Sequence, residues 1–152
     1  MPTRLNINII IVLLIITLLT SCRQSNVEGI IIGSTLYGNQ DYSTNRALCN
    51  IITRALNNDQ KALIELTEFW CGGAAGCYDL GYVLTQIINK TNEKEFIKLT
   101  NELTQKQKNE ILGLIAVGLE YGDNNYDGKM DNMTTREVYP ALEQALLEKN
   151  NM

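Results

Sequence analysis

Histidine does not occur in this chain of 152 residues. Its absence removes the usual general base, so no Ser/His or Cys/His nucleophile can be assembled. Zinc sites lose a principal ligand with it, and the cysteine spacings match no structural zinc site. Runs of Lys or Arg are missing too, and 13 basic residues stand against 17 acidic ones. That balance offers no basic face to neutralise phosphates, which disfavours nucleic acid as a partner. The glycine-rich stretch Gly72-Gly73-Ala74-Ala75-Gly76 lacks both the preceding strand and the Lys-Ser/Thr ending of a phosphate cradle. No repeat of fixed length marks a solenoid. The apolar run from Ile7 to Leu19 holds about a dozen residues, well short of the roughly 20 that a helix needs to cross a bilayer.

What is present starts with that run. Arg4 precedes it and Leu19-Thr20-Ser21-Cys22 closes it. A basic start, an apolar stretch and small residues at its end make an export signal's hydrophobic region, outside the fold. Leu-Thr-Ser-Cys closely resembles the bacterial lipoprotein signal. The resemblance implies that residues 1–21 are removed, that the Cys22 thiol carries a diacylglyceryl group and that the new amino terminus is acylated. Several acyl chains, each buried CH₂ contributing about 0.8 kcal/mol, would anchor the protein essentially permanently. A cleaved secretory signal or an uncleaved anchor is the alternative. Arg23 stands where an Asp would signal inner-membrane retention in proteobacterial lipoproteins, so the same resemblance implies a cell-envelope location at the outer membrane, facing the periplasm. Residues 1–21 contain Arg4 and no acid, so the charge of −4 becomes −5 for the mature chain. A basic protein partner suits such a surface.

The mature length suits one domain. Residues 22–42 are polar apart from Ile30-Ile31-Ile32 and read as a tether, with the isoleucines either docking on the domain or forming a short edge strand. From residue 43 the period is helical. Leu48, Ile51, Ile52, Ala55 and Leu56 make one stripe that Asn57-Asn58 ends, and Asp59 is placed to cap a helix running through Trp70. Leu80, Val83, Leu84, Ile87 and Ile88 repeat the stripe, followed by a short piece around Phe96. Thr104 and Gln107 have capping-box spacing. Ile111 to Leu119 is apolar nearly all round, which predicts the central helix, with Gly113 and Gly118 admitting close neighbours. A last helix carries Ala141 to Leu146. The fold class expected is all-α: a single compact bundle or helical-hairpin array of five to six helices over residues 43–152.

With Cys22 lipidated, three thiols remain in an oxidising compartment. Cys71 and Cys77 flank five small residues and can reach bridging distance, so they are the expected disulfide. Cys49 is expected to be a small core residue, and its pairing with Cys71 or Cys77 is the alternative. Trp70, Tyr78 and Tyr82 surround the same loop, read first as core packing and second as a binding surface.

Asp123-Asn124-Asn125-Tyr126-Asp127-Gly128-Lys129-Met130-Asp131 resembles the start of an EF-hand calcium loop over this stretch alone. The resemblance implies Ca²⁺ held by Asp123, Asn125, Asp127, the Lys129 carbonyl and Asp131, with Gly128 for the sharp turn. Thr134 stands where the bidentate Glu belongs, and Glu137 has its own capping-box partner in Thr134. Affinity of order 10⁻⁴ to 10⁻³ M follows. The alternative is a metal-free turn of Asn, Asp and Gly. Pro140 places the start of the last helix near itself.

The expectation is a non-enzymatic lipoprotein that binds a protein in the periplasm, its size, charge and lack of catalytic groups compatible with an immunity protein against an envelope toxin. A calcium-dependent structural or ligand-binding module is the second reading. The third is an envelope enzyme using Glu65 and Glu68, although two carboxylates on one helix cannot straddle a sugar ring. The anchor is directly testable: wild type should fractionate with membrane and incorporate labelled fatty acid, while Cys22→Ser should be released and unlabelled. Equal labelling of the variant would remove the lipoprotein reading.

Overall fold

The computed structural model describes residues 25–148. The signal (residues 1–21), Cys22 and Arg23 lie outside the described residues. Within them the protein is mainly helical: a two-strand hairpin and eight helices, of which two have five residues or fewer. In chain order these are β1 (Asn26–Val27), β2 (Ile30–Ile31), α1 (Ser34–Gly38), α2 (Tyr42–Leu56), α3 (Gln60–Thr67), α4 (Ala74–Thr91), α5 (Glu93–Thr100), α6 (Gln105–Tyr121), α7 (Thr135–Val138) and α8 (Pro140–Leu147). No described helix is long and apolar enough to cross a membrane.

Local chemistry sets these boundaries. The carboxylates of Asp41 and Asp59 accept from the Thr44 and Lys61 amides and start α2 and α3. Asn58 takes φ 62°, the left-handed turn that stops α2. Thr104 and Gln107 form the capping box of α6, Thr134 and Glu137 that of α7, and Pro140 occupies the first turn of α8.

The central helix is α4 rather than α6. Leu80, Gly81, Val83, Leu84, Thr85, Gln86, Ile87 and Ile88 are all buried on it. On α6, Ile111, Ile115, Gly118 and Leu119 are buried while Gly113 and Ala116 face solvent. Apolar composition all round α6 is therefore satisfied on one side only. α4 and α6 run antiparallel at backbone contact. A Cβ added at Gly118 would lie 2.2 Å from the Gly81 carbonyl oxygen, and one at Gly81 would lie 2.5 Å from that of Leu114. Nothing lies within 4 Å of a Cβ at Gly113, so its expected packing role falls to Gly81.

The segment read as a tether is part of the fold from Asn26 onward. Ile30, Ile32 and Leu36 are at most 1% exposed, and the isoleucines both dock and pair as a strand. Three polar side chains of α4 hold this segment. Asp79 accepts from the Leu36 amide at 2.9 Å, Gln86 accepts from the Ile31 amide and donates to the Ile31 carbonyl, and Lys90 donates to the Glu28 carbonyl. Positions 79, 86 and 90 recur at helical spacing, which gives α4 a polar face for a polar strand edge. Asn45 adds a bond from α2 to the Tyr37 carbonyl at 2.9 Å.

The glycine contact yields opposite outcomes at two sites on one helix. Gly118→Ala must push α6 off α4 and should cost about 2 to 3 kcal/mol. Gly113→Ala meets open space and should add up to about 1 kcal/mol through helix propensity. Urea titration of both variants reads the two signs.

Candidate functional site

The sequence motifs converge on the turn after α6. Gly122 ends that helix, donating to the Gly118 carbonyl at 3.0 Å. A Cβ at Gly122 would come within 2.3 Å of the same oxygen, so the close turn requires glycine. The chain loops out and returns onto α6: the amides of Asp131, Asn132 and Met133 donate to the carbonyls of Gly122, Glu120 and Leu119. Carbonyls left open at the helix end are thereby satisfied by the loop's own return limb.

A second set of bonds ties the loop to α4. The Tyr82 phenol donates to the Asp123 carbonyl at 2.9 Å, Thr85 donates to Asn124 Oδ1 at 2.7 Å, and Asn124 Nδ2 donates to the Gly118 carbonyl at 3.0 Å. Burial, with the carboxylates of Asp123 and Asp131 nearby, pushes the Tyr82 phenol up to about 12, so it stays a donor at ordinary pH. Beside it Tyr78 stacks on Tyr121, ring centroids 4.0 Å apart.

Inside the loop, acidic and amide oxygens serve the backbone. Asp123 accepts from the amides of Asp127 at 2.8 Å and Gly128 at 3.0 Å. Asn125 accepts from Asp127, Asp127 from Lys129, and Asp131 from Asn124. Tyr126 and Gly128 turn the chain with φ of 62° and 83°. The side chains expected to ligate calcium are therefore engaged by the loop's own backbone, with Asp123 and Asn125 sharing one amide, while Asp131 turns onto Asn124. No three His, Cys, Asp or Glu side chains among the described residues are gathered as a metal site. Glu137, the replacement for the missing twelfth ligand, is held by the Thr134 amide and hydroxyl at 2.9 and 2.8 Å, which keeps its carboxyl below the usual range. At the tip, Tyr126 is 68% and Met130 61% exposed, flanked by Asp123, Asp127 and Asp131. Their exposure carries no periodic signal, which is why sequence reasoning did not select them as a surface.

The other expected residues are dispersed. Cys71 and Cys77 are disulfide-bonded with Cα atoms 5.0 Å apart, so neither pairs with Cys49, which is half-buried against the core. Trp70 separates from Tyr78 and Tyr82: α3 stops at Thr67, and Trp70 falls beyond it, 68% exposed rather than packed. Glu65 is gripped by both terminal nitrogens of Arg54, at 2.7 and 3.0 Å, and Arg54 holds Asp59 below the usual carboxylate range through a further bond. Glu68 is exposed at the end of α3. Neither the 460 Å³ groove along α8, lined by Arg136, Glu143 and Leu147, nor the 290 Å³ one beside Lys90 contains Glu65 or Glu68.

No family model matches the chain, and neither a curated protein nor a solved structure matches it.

Proposed function

We propose that this protein is a lipid-anchored, non-enzymatic binding module of the bacterial envelope, and that the loop of residues 122–133 is its recognition element for a basic protein. The observation that carries the reading is the exposure of Tyr126 and Met130 at the tip of an acidic loop fixed from beneath. Aromatic residues and methionine are enriched where interfaces bury surface, and a rim of like charge selects an oppositely charged partner. A loop already fixed by hydrogen bonds loses little conformational freedom on docking, which favours affinity. The signal ending at Cys22 supplies the anchor and the periplasmic face of the outer membrane the location. An inhibitor of a basic envelope toxin, of the immunity-protein kind, has this chemistry. The carboxylate-enzyme reading is the less favoured, because Glu65 is engaged by Arg54 and neither described groove contains Glu65 or Glu68.

The test places a photo-crosslinking amino acid at position 126 in the intact envelope and identifies the product. The captured protein, purified, should bind wild type with an affinity that falls as salt rises and that drops tenfold or more with Tyr126→Ala or Met130→Ala. A partner whose binding ignores both substitutions and salt would overturn the loop as the recognition element.

The same loop supports a second reading, weak Ca²⁺ binding by Asp123, Asn125, Asp127, the Lys129 carbonyl and Asp131. Supporting it is the sharp turn at Gly128, at φ 83°, at the position where the calcium loop it resembles needs one. Calcium at about ten times Kd should add roughly 1.4 kcal/mol to stability. Asp127→Ala should abolish that shift. In chelator, Asp123→Ala should still cost about 1 to 2 kcal/mol, because two backbone amides lose their acceptor. Melting of wild type that millimolar calcium leaves unchanged would reduce the motif to a turn.

A further inference from the structure

We propose that the side of the domain bearing Ile31, Tyr42 and Trp70 rests on the lipid surface, with the two aromatic rings in the headgroup region. The proposal depends on the reading that Cys22 is lipidated, and it adds the orientation of the domain. The first argument is reach. The fold begins at Ser25, whose carbonyl accepts from the Ile32 amide. From Cys22 to Ser25 is three residues, which span at most about 11 Å. A domain of this size has a radius of gyration of about 14 Å. So short a stem holds the chain exit within about 11 Å of the surface. Whatever surrounds the chain exit is thereby kept within reach of the headgroups.

The second argument is what surrounds the exit. Ile31, 40% exposed, pairs with Asn26 beside it. From Ile32 the chain runs through α1 to Gln40, about 20 Å at most. There Gln40 donates to the Trp70 carbonyl at 2.7 Å, and Tyr42 follows two residues later, 56% exposed. The disulfide loop after Trp70 is seated on α1, since a Cβ at Gly76 would lie 2.0 Å from the Cys71 carbonyl oxygen and 3.7 Å from the Leu36 Cα. Three of the six large apolar side chains exposed among the described residues thus border this stretch. Trp and Tyr are the residues that favour the membrane–water interface, where an apolar ring and a polar edge are both satisfied.

Trp70 is the single tryptophan of the chain, so its emission reports this side alone. The lipidated full chain is reconstituted in phosphatidylcholine vesicles with or without bromine on the upper acyl carbons. Bromine should quench at least half of the emission. Ten Gly/Ser residues inserted between Gln24 and Ser25 should restore most of it without affecting flotation, and Cys22→Ser should show none of the quenching. A Trp70→Phe, Tyr42→Trp chain, altered only at exposed positions, should quench in the same way. Wild type that floats with vesicles but is unquenched overturns the orientation and leaves the anchor standing. Wild type that does not float overturns both. Equal quenching with the long stem or with Cys22→Ser overturns the role of the short stem.

Discussion

The backbone contact between Gly81 of α4 and Gly118 of α6 is the constraint on which the rest of the structure depends. Helix axes normally stand 8–10 Å apart because side chains keep them there. Two glycines remove that spacer. Close approach then brings Tyr78 onto Tyr121 and sets the Tyr82 phenol and the Thr85 hydroxyl against Asp123 and Asn124. The loop after α6 is therefore positioned by α4, not only by the helix it leaves. The same shortage of space at Gly122 folds the loop back onto the carbonyls of α6.

Several helix boundaries were legible because they rest on chemistry among neighbours in sequence, whereas the end of α3 at Thr67, short of Trp70, carried no such signal. Asp59, the Thr104 and Thr134 boxes, Asn58 and Pro140 act over at most three residues, and every one is where its spacing placed it. The disulfide was legible for a related reason, since five small residues between Cys71 and Cys77 leave little choice of geometry. Features that depend on a distant partner were not. Ile30 to Ile32 look like an isolated apolar island until Asp79, Gln86 and Lys90 supply a polar face for the flanking backbone. Those three are far along the chain, where no local pattern links them to Ile30 through Ile32.

The ranking of α4 and α6 failed for the same cause. Hydrophobicity all round a helix predicts burial only if enough chain exists to cover every side. Here α5, α7 and α8 are short, and they leave Gly113 and Ala116 of α6 uncovered. α4, by contrast, mixes Asp79, Thr85, Gln86 and Lys90 among its apolar residues and is enclosed through its middle, from Leu80 to Ile88, because each polar group has a partner in the segment beside it. Polarity hid the most enclosed helix, and its absence made a half-exposed one look central. At the loop, the motif could not say that the oxygens of Asp123 and Asp127 serve the backbone, a choice made by loop closure.

The two proposed surfaces bear a fixed relation through α4. At 100° per residue, Asp79, Gln86 and Lys90 share one direction, whereas Tyr78, Tyr82 and Thr85 point about a quarter turn away. The first set holds the segment through which the chain leaves toward Cys22, and the second holds the loop that presents Tyr126 and Met130. A domain resting on the side of its chain exit would therefore carry the acidic loop at its flank, neither pressed into lipid nor aimed straight away from it. Acidic groups held off a lipid surface avoid desolvation there and keep their field for a soluble partner. The glycine contact between α4 and α6 fixes that angle, so membrane seating and partner recognition would share one structural origin.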